Sequence, residues 1–371
     1  MRILIIDDSL VYRSQIKLVL GAESDFEVVK TAVHGQDGID FLQQGGEVDL
    51  VVCDIEMPVL NGIDTVKKMR ELGYRQPIII FSAQNTSSAE MTIKALGAGA
   101  DDFVIKPDGA AKSCEDAIAR IKGQLVPRIL QFFGKPQATR QVVPRDAKPR
   151  VVVPQASTAT QKWSLFDPLH QRANLVVIAS STGGPPALEN IIRHLKAPAR
   201  IPICIVQHMP AVFTRSLAER LNQLTSLNVR EAAQNEMLQP GVVYIAPGDF
   251  HMSLRKNMTG VVIHFDQAER RHSVRPCAEF LFESAAKIYG AKTFGIVLTG
   301  MGSDGRDGCC AIKQAGGCVV IQDETSSVVW GMPGAVHQQG AFDKQLPLDE
   351  IGPLLQQKIT VLAAKPDKLA S

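Results

Sequence analysis

Short apolar runs alternate with amphipathic stretches twice along this chain. In the first 133 residues, segments 3–6, 26–30, 50–53, 77–81 and 102–105 are brief, largely apolar and mostly rich in Ile and Val, the pattern of strands buried in a sheet. Between and after them, segments around 13–20, 38–44, 63–72, 89–96 and 117–132 space their apolar residues as helices do. Five such β-α units predict a parallel sheet covered on both faces, with its chemistry at the C-terminal ends of the strands. From Asn174 a second alternation begins. Segments 175–179, 202–206, 242–246, 294–298 and 318–321 read as strands, and 187–194, 215–224, 278–289 and 307–315 as helices, so this half is α/β as well.

The stretch between the two patterns holds neither period. It carries Pro136, Pro144, Pro149, Pro154 and Pro168, a Ser157-Thr158-Ala159-Thr160 tract, and Lys135, Arg140, Arg145, Lys148 and Arg150. Residues 134–173 therefore read as a flexible interdomain linker, with Val151-Val152-Val153 able to dock as a short strand. The expected domains are 1–133, the linker 134–173, and 174–371.

Composition narrows the function classes. A chain of 371 residues is long enough for two cores, and its formal net charge of +2 gives no field suited to nucleic acid or an anionic membrane. The basic linker lacks the interleaved aromatic residues of a nucleic-acid arm. Seven cysteines, an odd number without a C-x-x-C pair, argue for a reducing compartment and against a zinc site. The run after Met1-Arg2 is too short for a signal-peptide core, and no later apolar run reaches the length of a membrane span. A cytoplasmic protein is expected, with no direct membrane insertion.

The strand ends of the first half collect particular residues. Asp7 and Asp8 close the first strand, Asp54 the third and Ser82 the fourth, and Lys106-Pro107 follows the fifth. Helix capping explains any one of these aspartates but not the set of five positions. Three carboxylates on one edge form a hard-oxygen site suited to Mg²⁺ and a phosphate oxygen, with a lysine and a hydroxyl to hold the remaining oxygens. This half resembles the receiver domain of two-component response regulators over nearly its whole length. The resemblance implies a flavodoxin-like (βα)5 fold in which Asp54 accepts a phosphoryl group from a histidine kinase. It also implies that Asp7, Asp8 and Asp54, with the Glu56 backbone carbonyl, bind magnesium. Ser82, Lys106 and the switch aromatic Phe103 would respond to the phosphate.

In the second half, the run 175–179 breaks at Ser180-Ser181, followed by Thr182-Gly183-Gly184 and a helix start. A serine at a strand-to-helix turn stands clear of the sheet, and the helix N-terminus behind it offers N–H groups to an oxyanion. The pattern fits G-x-S-x-G only loosely, since Ala179 holds the first position, and an ordinary turn or phosphate cradle would look similar. Two further strands exit into Gln207-His208-Met209-Pro210 and Thr299-Gly300-Met301-Gly302-Ser303-Asp304-Gly305. Nucleophile, base and orienting carboxylate are thus available as Ser181, His208 and Asp304. By spacing alone His251 rivals the base, and Asp307 and Asp323 rival the orienter.

These stretches, with Ala246-Pro247-Gly248, Leu281-Phe282-Glu283-Ser284-Ala285-Ala286, Gln322-Asp323-Glu324 and Trp330-Gly331-Met332-Pro333, resemble the methylesterase domain of the CheB family of chemotaxis response regulators. The resemblance runs from about residue 174 to 359 and implies a doubly wound, mostly parallel α/β domain. It implies Ser181, His208 and Asp304 as catalytic residues, with Thr182 and Met301 near the oxyanion. It further implies hydrolysis of glutamate methyl esters and deamidation of glutamines on chemoreceptor cytoplasmic domains, with Mg²⁺ needed for receiver phosphorylation and no cofactor for the esterase step. Two departures stand out. Ala179-Ser180 replaces the usual Gly-Ala, which makes Ser180 a competing serine, and segment 270–276 keeps only part of the usual His-x-Pro-Ser pattern. A receiver with a DNA-binding output would need a helix-turn-helix and a basic recognition face, neither of which is visible after Asn174. A scaffold that kept the fold without hydrolysis is the other alternative.

Overall fold

The computed structural model describes residues 1–107, 113–133, 169 and 171–360. The linker and its docking strand at 151–153 therefore fall almost entirely outside the described residues. The first half folds as expected into β1 (Arg2–Ile6), α1 (Leu10–Gly21), β2 (Glu27–Ala32), α2 (Gly35–Gln43), β3 (Leu50–Asp54), α3 (Gly62–Glu71), β4 (Ile78–Ser82), α4 (Thr86–Gly97), β5 (Asp102–Ile105) and α5 (Cys114–Leu130). The strands pair in parallel in the order β2-β1-β3-β4-β5. Ile3, Ile5, Val52 and Phe81 feed one core layer, while Leu4, Ile6, Val51 and Ile80 feed the other, the two-faced burial that makes these strands continuous apolar runs.

The second half opens with β6 (Leu175–Ser180), α6 (Gly184–Arg193), β7 (Ile203–Gln207) and α7 (Ala211–Asn222). It continues with β8 (Asn228–Glu231), β9 (Val242–Ile245), the hairpin β10 (His251–Lys256) and β11 (Val261–Asp266), and α8 (Ala278–Tyr289). It closes with β12 (Thr293–Val297), α9 (Arg306–Gln314), β13 (Cys318–Gln322), α10 (Met332–Gln339), β14 (Lys344–Leu346) and α11 (Leu348–Thr360). Seven strands form one sheet in the order β14-β13-β12-β6-β7-β9-β8, every pair parallel, and β10-β11 is a separate antiparallel ribbon. The sequence pattern did not expose β8, β10, β11, β14, α10 or α11. Strands β8 and β14 lie at the sheet's two edges, where burial on both faces is not demanded and the apolar run disappears. Helix α10 opens on Met332-Pro333-Gly334, breaker residues that a first helical turn tolerates.

Chain order reverses beside β1 in the first sheet and beside β6 in the second. Open parallel sheets build sites in the crevice at that point. Asp7 and Asp54 follow β1 and end β3; Ser181 and Thr299 follow β6 and β12, up to the same crevice of their own sheet. Helix α4 packs on α6 and α7, so the first half lies against the second, and one apolar cluster runs from Ile93 and Leu96 to Phe213 and Leu217. No helix among the described residues is long and apolar enough to cross a membrane.

Candidate active site and its covering domain

Ser181 leaves β6 on a tightly held backbone. Its N–H donates to Thr299 O (3.0 Å), its carbonyl accepts from Gly184 N (2.8 Å) and from the Gln207 side-chain amide (2.9 Å). Gly183 turns the chain with φ +74°, and a Cβ there would meet Val328 Cβ at 2.6 Å, so only glycine fits. The competing Ser180 points inward, fully buried, and donates to Gln207 Oε1 at 2.7 Å. It is a structural residue, and the partly buried Ser181 is the serine that faces the crevice.

His208 and Asp304 meet as the sequence suggests, with Nε2 2.6 Å from Asp304 Oδ2. Nδ1 is then the ring nitrogen left for the serine, and it has no partner among the described residues; the serine proteases use the opposite assignment. Asp304 Oδ2 also accepts from Ala278 N (2.7 Å), and Oδ1 accepts from Cys277 Sγ (3.0 Å) and Glu279 N (3.3 Å). Burial works to raise its pKa, but the hydrogen bond and charge of His208 and the donors at the start of α8 hold it at about 2. Asp304 is thus a fixed anion, the property required of an orienting carboxylate. Among the described residues no group accepts from the Met301 N–H, which suits an oxyanion donor, while the Met301 side chain is largely exposed.

The rivals fall away on their contacts. His251 is fully buried, stacks on Phe280 at 4.0 Å and meets Glu269 O through Nε2; burial lowers its pKa. Asp307 pairs with Arg306 and Arg271, and Asp323 accepts from Ser326. Buried Gln207, which binds Ser180, the Ser181 carbonyl and the His208 carbonyl, was missed as a site residue. Its signal was a polar residue at the last position of a buried strand.

In the first half, Asp7, Asp8 and Asp54 bring carboxylate oxygens within 4.8 Å of one another. Lys106 Nζ lies 2.7 Å from Asp54 Oδ2 and 3.2 Å from Asp7 Oδ2, yet Asp7 Oδ2, buried, receives no well-directed hydrogen bond. Burial, followed by the charge of Asp7, pushes the Asp54 pKa up to about 6 against the pull of Lys106. A crowded set of hard oxygens countered by a single lysine fits a small divalent cation. Glu56 directs its carboxylate to the Ser88 hydroxyl. The Ser82 hydroxyl is not brought to Asp54; it accepts from Thr92 Oγ1 at 2.7 Å.

Phe103 turns away from this acid site and stacks on Phe213 of α7, with ring centroids 4.6 Å apart. Next to it, Asp102 accepts from the Thr182 hydroxyl at 2.9 Å and is itself clasped by Arg128 (3.0 and 3.1 Å) and Gln131 (3.0 Å). A small cavity is walled jointly by Asp102, Phe103 and Arg128 on one side and Ser181, Thr182 and His208 on the other. The first half therefore sits directly on the serine site.

The sequence matches the model of the family described as CheB methylesterase over residues 176–355, and that of the response regulator receiver domain over residues 3–117. It is 40% identical over 359 residues to a protein-glutamate methylesterase/protein-glutamine glutaminase of Nocardioides sp., covering 96% of this chain and 95% of that one. A protein of the same description from Trichodesmium erythraeum is 39% identical over 96% of this chain and 99% of its own. Among solved structures, the Thermotoga maritima CheB methylesterase catalytic domain is similar at 44% identity and a TM-score of 0.49, covering 50% of this chain and 98% of that chain. The chain belongs to the protein-glutamate methylesterase/protein-glutamine glutaminase family, with a response regulator receiver domain ahead of a CheB methylesterase domain.

Proposed function

We propose that this protein is a phosphorylation-regulated methylesterase that hydrolyses glutamate methyl esters on chemoreceptor cytoplasmic domains, and deamidates receptor glutamines, in chemotaxis adaptation. The observation that carries this reading is the 2.6 Å His208–Asp304 pair beside Ser181 at the point where strand order reverses. Ser181 Oγ attacks the ester carbonyl while His208 Nδ1 takes its proton. The imidazolium, stabilised by ionised Asp304, returns that proton to the departing methoxide, and methanol leaves. His208 then deprotonates a water that cleaves the acyl-enzyme to a free carboxylate and restored Ser181. The Met301 N–H faces the tetrahedral oxyanion, where one donor is commonly worth roughly 3–4 kcal/mol. Thr182 borders the same subsite.

In this reading the receiver is a removable lid. A histidine kinase supplies the phosphoryl group to Asp54, and Asp7, Asp8, Asp54 and the Glu56 carbonyl would hold Mg²⁺, whose charge offsets that of the carboxylates and phosphoryl oxygens. Lys106 holds a phosphoryl oxygen, Ser82 turns towards it, and Phe103 follows. Movement of Phe103 removes its ring from Phe213, which couples the acid site to the lid contact. The protein works in the cytoplasm, without nucleic acid or membrane insertion.

Release of methanol from methylated receptor membranes tests the assignment. Ser181→Ala abolishes it in this account; equal rates for the variant and the parent chain would sink the nucleophile.

A further inference from the structure

Glu279 is a fully buried carboxylate that takes no part in the proton transfers between Ser181 and His208. It lies in the first turn of α8, and its side chain reaches across to the start of α9. There Oε1 accepts from Gly305 N (3.0 Å) and Asp307 N (3.2 Å), and Oε2 accepts from Gly308 N. Gly305, the residue ahead of α9, has no side chain to cap the helix, so Glu279 supplies from another helix the cap that α9 lacks. The approach is close enough that a Cβ at Gly308 would stand 2.9 Å from Glu279 Oε2 and 2.5 Å from Phe282 Cβ.

Asp304 lies between the two ends of this clamp. Its carboxylate is held by the α8 side through the Glu279 N–H, the Ala278 N–H and the Cys277 thiol, while the next residue, Gly305, is held by the Glu279 carboxylate. His272 Nε2 approaches Glu279 Oε1 at 3.4 Å from the opposite side. The grouping of His272, Glu279 and Asp307 has the makings of a metal site, but the Glu279 oxygens are filled by three backbone N–H groups and Asp307 is paired with Arg306 and Arg271. The geometry is that of a brace.

We infer that Glu279 is a positioning residue for the esterase reaction, fixing Asp304 from both sides so that the carboxylate stays on His208 Nε2 through both proton transfers. This inference rests on the Ser181-His208-Asp304 reading. A loop ending in Ser303-Asp304-Gly305, with left-handed Gly302 and Gly305 around it, has little rigidity of its own. An angular error of the carboxylate passes directly to the imidazole, and orientation is what an orienting residue contributes. Glu279 touches neither substrate nor the reacting atoms, so its loss lowers turnover and leaves substrate binding alone.

The test measures kcat and KM for methanol release by the full-length protein, comparing the parent chain with Glu279→Gln, Glu279→Ala, Asp304→Asn and Glu279→Ala/Asp304→Asn, with thermal unfolding recorded for each. Glu279→Ala lowers kcat about tenfold to a hundredfold, the range for groups that orient another functional residue, with KM within about twofold. Glu279→Gln, which keeps an acceptor for Gly305 and Asp307, recovers most of that loss and carries the test if the alanine variant does not fold. In the double variant the alanine change costs nothing beyond Asp304→Asn, because the brace has nothing left to hold. Losses that multiply in the double variant, a raised KM with unchanged kcat, or parental kcat in both Glu279 variants each overturn the inference while leaving the triad standing. Parental kcat in Asp304→Asn alone overturns the triad reading itself, and the brace with it.

Discussion

Asp54 and Asp304 are both buried carboxylates at the C-terminal edge of a parallel sheet, beside the strand where chain order reverses, yet Asp54 has a pKa of about 6 and Asp304 about 2. Desolvation opposes ionisation at both. Around Asp54 it is reinforced by Asp7 and countered mainly by one lysine, and an oxygen of Asp7 lacks a directed partner. Around Asp304 it is overcome by His208, two backbone N–H groups and a thiol. The same position in the same kind of sheet thus yields one site whose crowded carboxylates are only partly countered by charge, and one whose carboxylate is fully partnered. Regulation fits the first arrangement because an unrelieved site changes when a ligand arrives; catalysis fits the second because its orienter must not move.

The largest effect tests the complete site. Asp304→Asn leaves a neutral group that misdirects the imidazole, and kcat is expected to fall about a thousandfold to ten-thousandfold in the methanol assay. Asp54→Asn tests the incomplete one. It abolishes the stimulation given by a small phosphodonor and Mg²⁺, an effect in the usual range of about 5- to 150-fold for coupled sites, while basal turnover persists. Full stimulation in that variant removes Asp54 from the mechanism. Phe213→Leu keeps an apolar side chain in α7 but loses the stack on Phe103, worth about 0.5–1.5 kcal/mol, so unstimulated turnover rises about two- to tenfold. An unchanged basal rate would show that this contact does not hold the lid.

The smallest effect is a difference of sign in acid. Asp54 titrates above its unfolded value near 3.8, so the folded state binds the extra proton, and this stability falls as pH rises through about 6. Asp304 titrates below 3.8, so its contribution is present above that pH and is lost as pH falls towards about 2. Each is on the order of 2–3 kcal/mol at most. Thermal unfolding between pH 2 and 7 should therefore show Asp54→Asn flattening the fall towards neutrality and Asp304→Asn flattening the fall towards acid. Both variants shifting the curve in the same direction would break the comparison.

The sequence announced the strand ends because chemistry placed there interrupts an apolar run: Asp7, Asp54, Ser181 and His208 are polar residues at or just past the exit from one, and Asp304 lies on the glycine-rich loop that follows another. What it hid depends on distances between separated segments. The exclusion of His251 rests on its stack against Phe280, and that of Ser180 on Gln207, neither of which spacing encodes. Glu279 looked like one acidic residue in a helix, since the backbone it caps lies 26 to 29 residues further on. The contact between the two halves joins Asp102 to Thr182 across two separate sheets, where no single run carries a signal. Edge strands escaped because a half-exposed strand does not need an unbroken apolar run.

The most direct test of the central claim is the rate at which a fluorophosphonate, which phosphonylates an activated serine with loss of fluoride, labels the full-length protein with and without phosphodonor and Mg²⁺, the labelled residue being read by peptide mass spectrometry. Label on Ser181, acquired faster when the receiver is phosphorylated, is the expected result. Label on Ser180 or elsewhere, or equal rates in the two conditions, would contradict it.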